Sequence, residues 1–181
     1  MKGEIAWLAL ACLVAGLPAR AADASRERVY EARVERVFDG DTLWVRPLPD
    51  GRPRKLRLDG IDAPEICQPG GLAARDALAE RIERRVVQVR ERRRDHYGRP
   101  LVRLSQRQTD VAAWLVAQGH AWSYRWRFNP GPYAAEEARA RAARRGVFAE
   151  ASPEWPGDFR RRYGPCPPSA PIAPRAGASN R

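Results

Sequence analysis

A chain of 181 residues has room for one domain of ordinary size and its flanking segments, and 44% hydrophobic residues fit a globular core. The formal net charge is +11, carried almost wholly by arginine, since lysine occurs only at Lys2 and Lys55. Such a surface is either simply solvated and self-repelling or made for a polyanion, and charge alone does not separate nucleic acid from an anionic membrane.

In chain order, Met1-Lys2 is followed by the apolar run Ile5–Leu17 and by "PARA", with Ala19 and Ala21 at A-x-A spacing. This is the pattern of a secretory signal peptide over residues 1–21, cleaved after Ala21. The run is too short to span hydrocarbon roughly 30 Å thick, which needs about 20 residues, so no membrane anchor is expected after its removal. The expected product is exported, to the periplasm or beyond the cell.

Arg28–Val37 alternates as a strand, with Tyr30, Ala32 and Val34 on one face. Asp39-Gly40 signals a turn, Thr42–Leu48 a second strand, Pro49–Gly51 another turn, and Lys55–Ile61 a third strand. "AARDALAERIERR", residues 73–85, has a helical stripe at Ala74, Leu78 and Ile82. Val86–Arg90 and Leu101–Ser105 read as strands, joined by a charged connection over 92–99. Helices are expected over Thr109–Gln118 and Tyr133–Arg145, each stopped by a glycine. From residue 151 the chain is rich in proline and small residues, an extension expected to be partly disordered through its last dozen or so positions. The unit of five strands and three helices, over 26–150, matches an α+β class built on a five-stranded OB-type barrel.

Three short motifs carry the chemistry. "DGDT" at Asp39–Thr42 is a common turn by itself, and it fails as an EF-hand because Leu43, Trp44 and Asp50 stand at key loop positions. "RLDGIDAPE" at Arg57–Glu65 gathers an arginine with three carboxylates. Strand alternation would put Arg57, Asp59 and Ile61 on one face with Asp62 on the other, and Pro64 bends the chain before Glu65. "DHYGR" at Asp95–Arg99 places Arg99 at the start of a strand.

Together with "AQGHAW", these motifs and their order over Arg28–Ala149 resemble the staphylococcal nuclease-like (thermonuclease) family. The resemblance implies calcium-dependent hydrolysis of DNA and RNA, leaving 3′-phosphate ends, by a monomer that prefers single-stranded or frayed substrates. Asp41 and Asp62 would be Ca2+ ligands, with the backbone carbonyl of Ala63 as a third. Glu65 would orient or deprotonate the attacking water, Arg57 and Arg99 would clamp the phosphate, and Tyr97 would touch a substrate phosphate. His96, where the family's best-known member has lysine, would skirt the groove.

Other positions stay open. Asp39 either shapes its turn or supports the ligands, and Asp59 is a surface charge or half of a salt bridge. Tyr124 or Trp126 either stack on a base or pack at the rim. Arg90–Arg94 reads most simply as a solvated turn, or else as a run that helps gather nucleic acid. Cys67 and Cys166 either form a disulfide or remain free thiols, with Cys67 alternatively reactive. The rival functions are a non-catalytic nucleic-acid-binding OB module and a cationic surface protein.

Overall fold

The computed structural model describes residues 27–167. The expected signal peptide and the last part of the tail therefore lie outside the described residues. Five strands close a mixed barrel: β1 (Arg28–Val37), β2 (Thr42–Pro47), β3 (Arg54–Leu58), β5 (Val86–Arg94) and β6 (Pro100–Gln106). β1 pairs antiparallel with β2 and β5, β2 with β3, and β5 with β6. The parallel pairing of β3 with β6, Leu58 opposite Val102, closes the cylinder. Period-2 alternation sends Ala32, Val34, Leu43, Val45, Leu56, Leu58, Val87, Val89, Val102 and Leu104 into one core. Closure leaves none of these strands as a free edge.

The expected third strand does not run on to Ile61. It stops at Leu58, turns through Asp59-Gly60 with Gly60 at φ +80°, and resumes as the short β4 (Ile61–Asp62). The left-handed backbone at Gly60 breaks the alternation, so Asp62 is not aimed away from Arg57. β5 in turn is longer than expected. Its arginines lie on a paired strand and not a loose turn, with Glu91 opposite Val102 and a bulge before Arg93.

Helix α1 (Gly71–Ile82) buries Ala74, Leu78 and Ile82 on the barrel, the stripe expected from the sequence. β7 (Thr109–Asp110) precedes α2 (Val111–Ala117), where Asp110 caps the helix by accepting from the Ala113 N–H at 3.0 Å. β8 (Trp122–Ser123) pairs with β4, so Asp62 stands opposite Trp122. α3 (Ala134–Ala142) leads to a 3-10 turn at Gly146–Ala149, and Phe148 packs with Trp122 and Ala140 in a second cluster.

Among the described residues there are four α-helices, where three were expected. Pro156–Tyr163 of the proline-rich extension forms α4, with proline in its first turn and Gly164 at its end. Trp155, just before it, packs on the second cluster, and Phe159 is buried. The Cys67–Cys166 disulfide is formed and ties the extension to the segment after β4.

Candidate active site

The Asp39–Asp41 turn joins β1 to β2. Asp39 shapes it, its Oδ1 accepting from the Asp41 N–H at 3.0 Å. Burial, together with the neighbouring Asp41 charge, pushes the Asp39 carboxyl up to about 7. Gly40 lies against the next layer, where a Cβ would come within 2.6 Å of the Ala63 Cβ and 2.9 Å of the Ala74 Cβ. That close approach sets Asp41 beside the backbone of residue 63. The Asp41 carboxylate accepts from the Thr42 hydroxyl at 2.9 Å, from Arg57 Nη1 at 2.7 Å and from the Ala63 N–H at 3.3 Å.

Arg57 stands on β3 directly opposite Thr42. Its other nitrogen, Nη2, donates to Asp62 Oδ1 at 3.0 Å, so one planar guanidinium joins two buried carboxylates from separate elements. Burial by itself would lower the Arg57 pKa, but the charges of Asp41 and Asp62 outweigh it and the pKa is raised. Asp62 is fully buried, and desolvation holds its carboxyl above the ordinary value despite its arginine partners.

Glu65 follows the Pro64 bend. Its backbone N–H donates to Gln68 Oε1 at 3.1 Å, and its carboxylate accepts from Arg160 at 2.7 Å. Arg160 comes from α4 and also donates to both oxygens of Asp62, at 3.1 and 2.9 Å. Neither Arg160 nor Gln68 was foreseen from sequence. The signal for α4 was nonetheless present, as a proline-led start and a glycine stop around "PGDFRRRYG".

Arg99 lies on the same cleft, which encloses about 990 Å³ and is also lined by Asp41, Arg57, Glu65, Tyr97 and Arg160. Asp95 builds the turn expected before β6, and its hold on Arg99 is a role that the sequence reading did not assign. Its carboxylate accepts from the N–H groups of Tyr97 and Arg99, each at 2.9 Å, and from Arg99 Nε at 2.7 Å. Burial opposes those contacts but they prevail, and the Asp95 pKa is lowered. The Arg99 guanidinium sits 5.3 Å from the Tyr97 ring centre, and His96 leans on the same ring at 3.8 Å. Tyr124 and Trp126 are exposed on the cleft wall and do not belong to the core. Asp59 is half of a salt bridge, held by Arg93 at 3.1 Å and Arg92 at 3.4 Å.

Could Asp41, Asp62 and the Ala63 carbonyl hold a cation? Among the described residues no three His, Cys, Asp or Glu side chains gather as a metal cage. The donors at hand are two carboxylates and a backbone carbonyl, all hard oxygens of the kind that calcium takes. A carboxylate has about four acceptor positions. Asp41 uses three of them, on Thr42, Arg57 and Ala63, and Asp62 uses three, on Arg57 once and Arg160 twice. Each keeps one acceptor position, so the donor chemistry fits a hard cation.

Residues 55–150 match the family model described as "Staphylococcal nuclease homologue". The chain is 38% identical over 164 residues to Protein ParB of Escherichia coli, covering 84% of this chain and 88% of that protein. It is 35% identical over 143 residues to a micrococcal nuclease of Shigella flexneri, covering 73% and 81%. An uncharacterized endonuclease of Haemophilus influenzae is 31% identical over 139 residues, covering 76% of each chain. The family match begins after the Asp39–Asp41 turn and ends before α4. Asp41 and Arg160 thus join the site by geometry.

Proposed function

This chain belongs to the staphylococcal nuclease family, and from that premise we propose that it is an exported, calcium-dependent nuclease that hydrolyses phosphodiester bonds of DNA and RNA. The observation that carries this reading is the meeting of Asp41, Arg57 and Glu65 in the cleft that also holds Arg99, with buried Asp62 hydrogen bonded to Arg57 just behind the cleft lining. Asp41, Asp62 and the Ala63 carbonyl would hold the cation, which when bound supplies Lewis-acid polarisation of the phosphoryl oxygen.

Glu65 is the proton acceptor. Water attacks phosphorus, its proton passes to a Glu65 carboxylate oxygen, and the bond from phosphorus to the 5′ oxygen breaks; that oxygen takes a proton from solvent water to become the 5′-hydroxyl, and the phosphate stays on the 3′ side. General-base help of this kind is worth about 10²–10⁴-fold. Arg57 and Arg99 face the extra negative charge of the five-coordinate phosphorane. Planar guanidiniums held in advance by Asp41, Asp62 and Asp95 stabilise that charge more than the ground state. Tyr97 and His96 border the path of the neighbouring phosphate, and Tyr124 and Trp126 offer faces for unstacked bases, which favours single-stranded or frayed substrates.

The disulfide supports export, because such bridges persist in oxidising compartments. Among the described residues no helix is long and apolar enough to cross a membrane. The proposed enzyme acts as a monomer.

The test is hydrolysis of defined single-stranded DNA and RNA oligonucleotides with calcium and with chelator, followed by end-group analysis. Cleavage should require the ion and leave 3′-phosphates, and Glu65→Gln and Arg99→Ala should each lower kcat by at least about 100-fold. Full activity in either variant would sink the assigned roles. Salt-sensitive binding without cleavage, across several divalent ions, would instead fit a non-catalytic module.

A further inference from the structure

Arg160 has a position that the cleavage scheme leaves unused. One of its nitrogens, Nη1, donates to Asp62 Oδ1 at 3.1 Å and to Glu65 Oε1 at 2.7 Å, while Nη2 donates to Asp62 Oδ2 at 2.9 Å. A single guanidinium therefore sets the spacing of two neighbouring carboxylates that would otherwise repel. Among the described residues no other side chain hydrogen bonds the Glu65 carboxylate. Without Arg160, Glu65 would be a partly exposed side chain with free rotors, held only through its backbone contacts to Gln68.

The helix that carries Arg160 is fastened to the 64–68 segment at further points. Buried Gln68 accepts from the Glu65 N–H and donates Nε2 to the Glu154 carbonyl at 2.7 Å. Cys67 is joined covalently to Cys166, three residues after α4 ends. The bend bearing Glu65 and the helix bearing Arg160 are thus fastened together by a salt bridge, a buried side-chain hydrogen bond and a disulfide.

We propose that Arg160 is a positioning residue of this nuclease, which holds the Glu65 carboxylate against Asp62 for proton abstraction, and that the Cys67–Cys166 bridge keeps its helix in place. The inference rests on the reading of Glu65 as the proton acceptor. A proton acceptor works through placement, and a displacement of about 1 Å can cost about 10²-fold. Arginine suits the task because its fork can engage two carboxylates at once, whereas an ammonium is a point charge.

The test uses the full chain, mature and oxidised, with calcium and a single-stranded oligonucleotide. Arg160→Ala should lower kcat about 10- to 100-fold while KM stays within about 3-fold, and Arg160→Lys should recover part of that loss. In a Glu65→Gln background the same Arg160→Ala change should alter kcat less than about 2-fold, because the group that it positions no longer takes the proton. Reducing the bridge, or Cys166→Ser, should lower kcat toward the Arg160→Ala level with the barrel still folded. An active wild type with an unchanged Arg160→Ala variant overturns this inference alone, and so do independent, multiplicative losses with Glu65→Gln. Faster cleavage by Arg160→Ala, with tighter calcium binding in calorimetry without substrate, would mark Arg160 as a block on the cation and overturn it too. An inactive wild type overturns both this inference and the reading beneath it.

Discussion

At the scale of single residues, the site depends on spacing finer than a methyl group. Gly40 is the clearest case, because a Cβ there would meet the Ala63 and Ala74 side chains at 2.6 and 2.9 Å. Both neighbours end at Cβ and sit on fixed backbone, so neither can swing aside. Gly40→Ala should push the Asp39–Asp41 turn off α1, cost about 1–3 kcal/mol as overpacking does, and separate Asp41 from the Ala63 N–H. Denaturant melts would register the first effect and a fall in kcat the second. His120 offers a separate handle, remote from the cleft lining. Burial lowers its pKa below the ordinary value near 6.5. The unfolded chain then binds more protons than the native one as pH falls through that value, so this term reduces stability on acidification. A His120→Gln variant should lose less stability than wild type between about pH 7 and pH 5, as melts at each pH would show.

At the scale of elements, what was legible in the sequence was what depends on local periodicity. The strand face Tyr30, Ala32, Val34 and the stripe Ala74, Leu78, Ile82 were readable because each repeats at its own period of 2 or 3.6. Arg57, Asp62, Glu65 and Arg99 were readable only through motif order, since alternation along a continuous strand would have parted Arg57 from Asp62. The glycine turn at Gly60 reverses that result, and no period announces it. The start and stop of the helix that carries Arg160 were legible, but the role of Arg160 was not. Its role arises from the docking of a helix 95 residues after Glu65, a tertiary fact that the proline-rich composition obscured. Asp110 shows how local and distant contacts can share one residue. It caps α2 through Ala113, and its Oδ2 accepts from the Tyr133 hydroxyl at 3.1 Å beside α3. Asp110→Ala should therefore exceed a typical cap loss of ~1 kcal/mol and approach 2 kcal/mol. Asp110→Asn, which keeps one oxygen for the Ala113 N–H and turns its amide NH2 to the Tyr133 hydroxyl oxygen, should recover part of it in the same denaturation series.

At the scale of the whole molecule, the question is whether the net charge of +11 acts as a diffuse cloud or through the cleft. Arg57, Arg92, Arg93, Arg94, Arg99 and Arg103 all line the cleft. Most of them already face carboxylates: Arg57 with Asp41 and Asp62, Arg92 and Arg93 with Asp59, Arg94 with Glu91, and Arg99 with Asp95. The number of phosphates neutralised should thus fall well short of the number of arginines. With chelator present to prevent cleavage, single-stranded DNA binding should follow log salt with a slope of about −2 to −3, the response expected for roughly three or four phosphates. Arg94 is an exposed rim residue whose charge meets a carboxylate only at 3.5 Å, on Glu91, its Nη1 donating to the neutral Gly98 carbonyl at 2.7 Å. Arg94→Ala should make the slope shallower by about 0.7 and weaken binding alike for all sequences, with kcat little changed. A diffuse cloud predicts otherwise, because removing one charge from such an excess would leave the slope almost where it was. A titration series at several salt concentrations, run on wild type and Arg94→Ala side by side, separates the two.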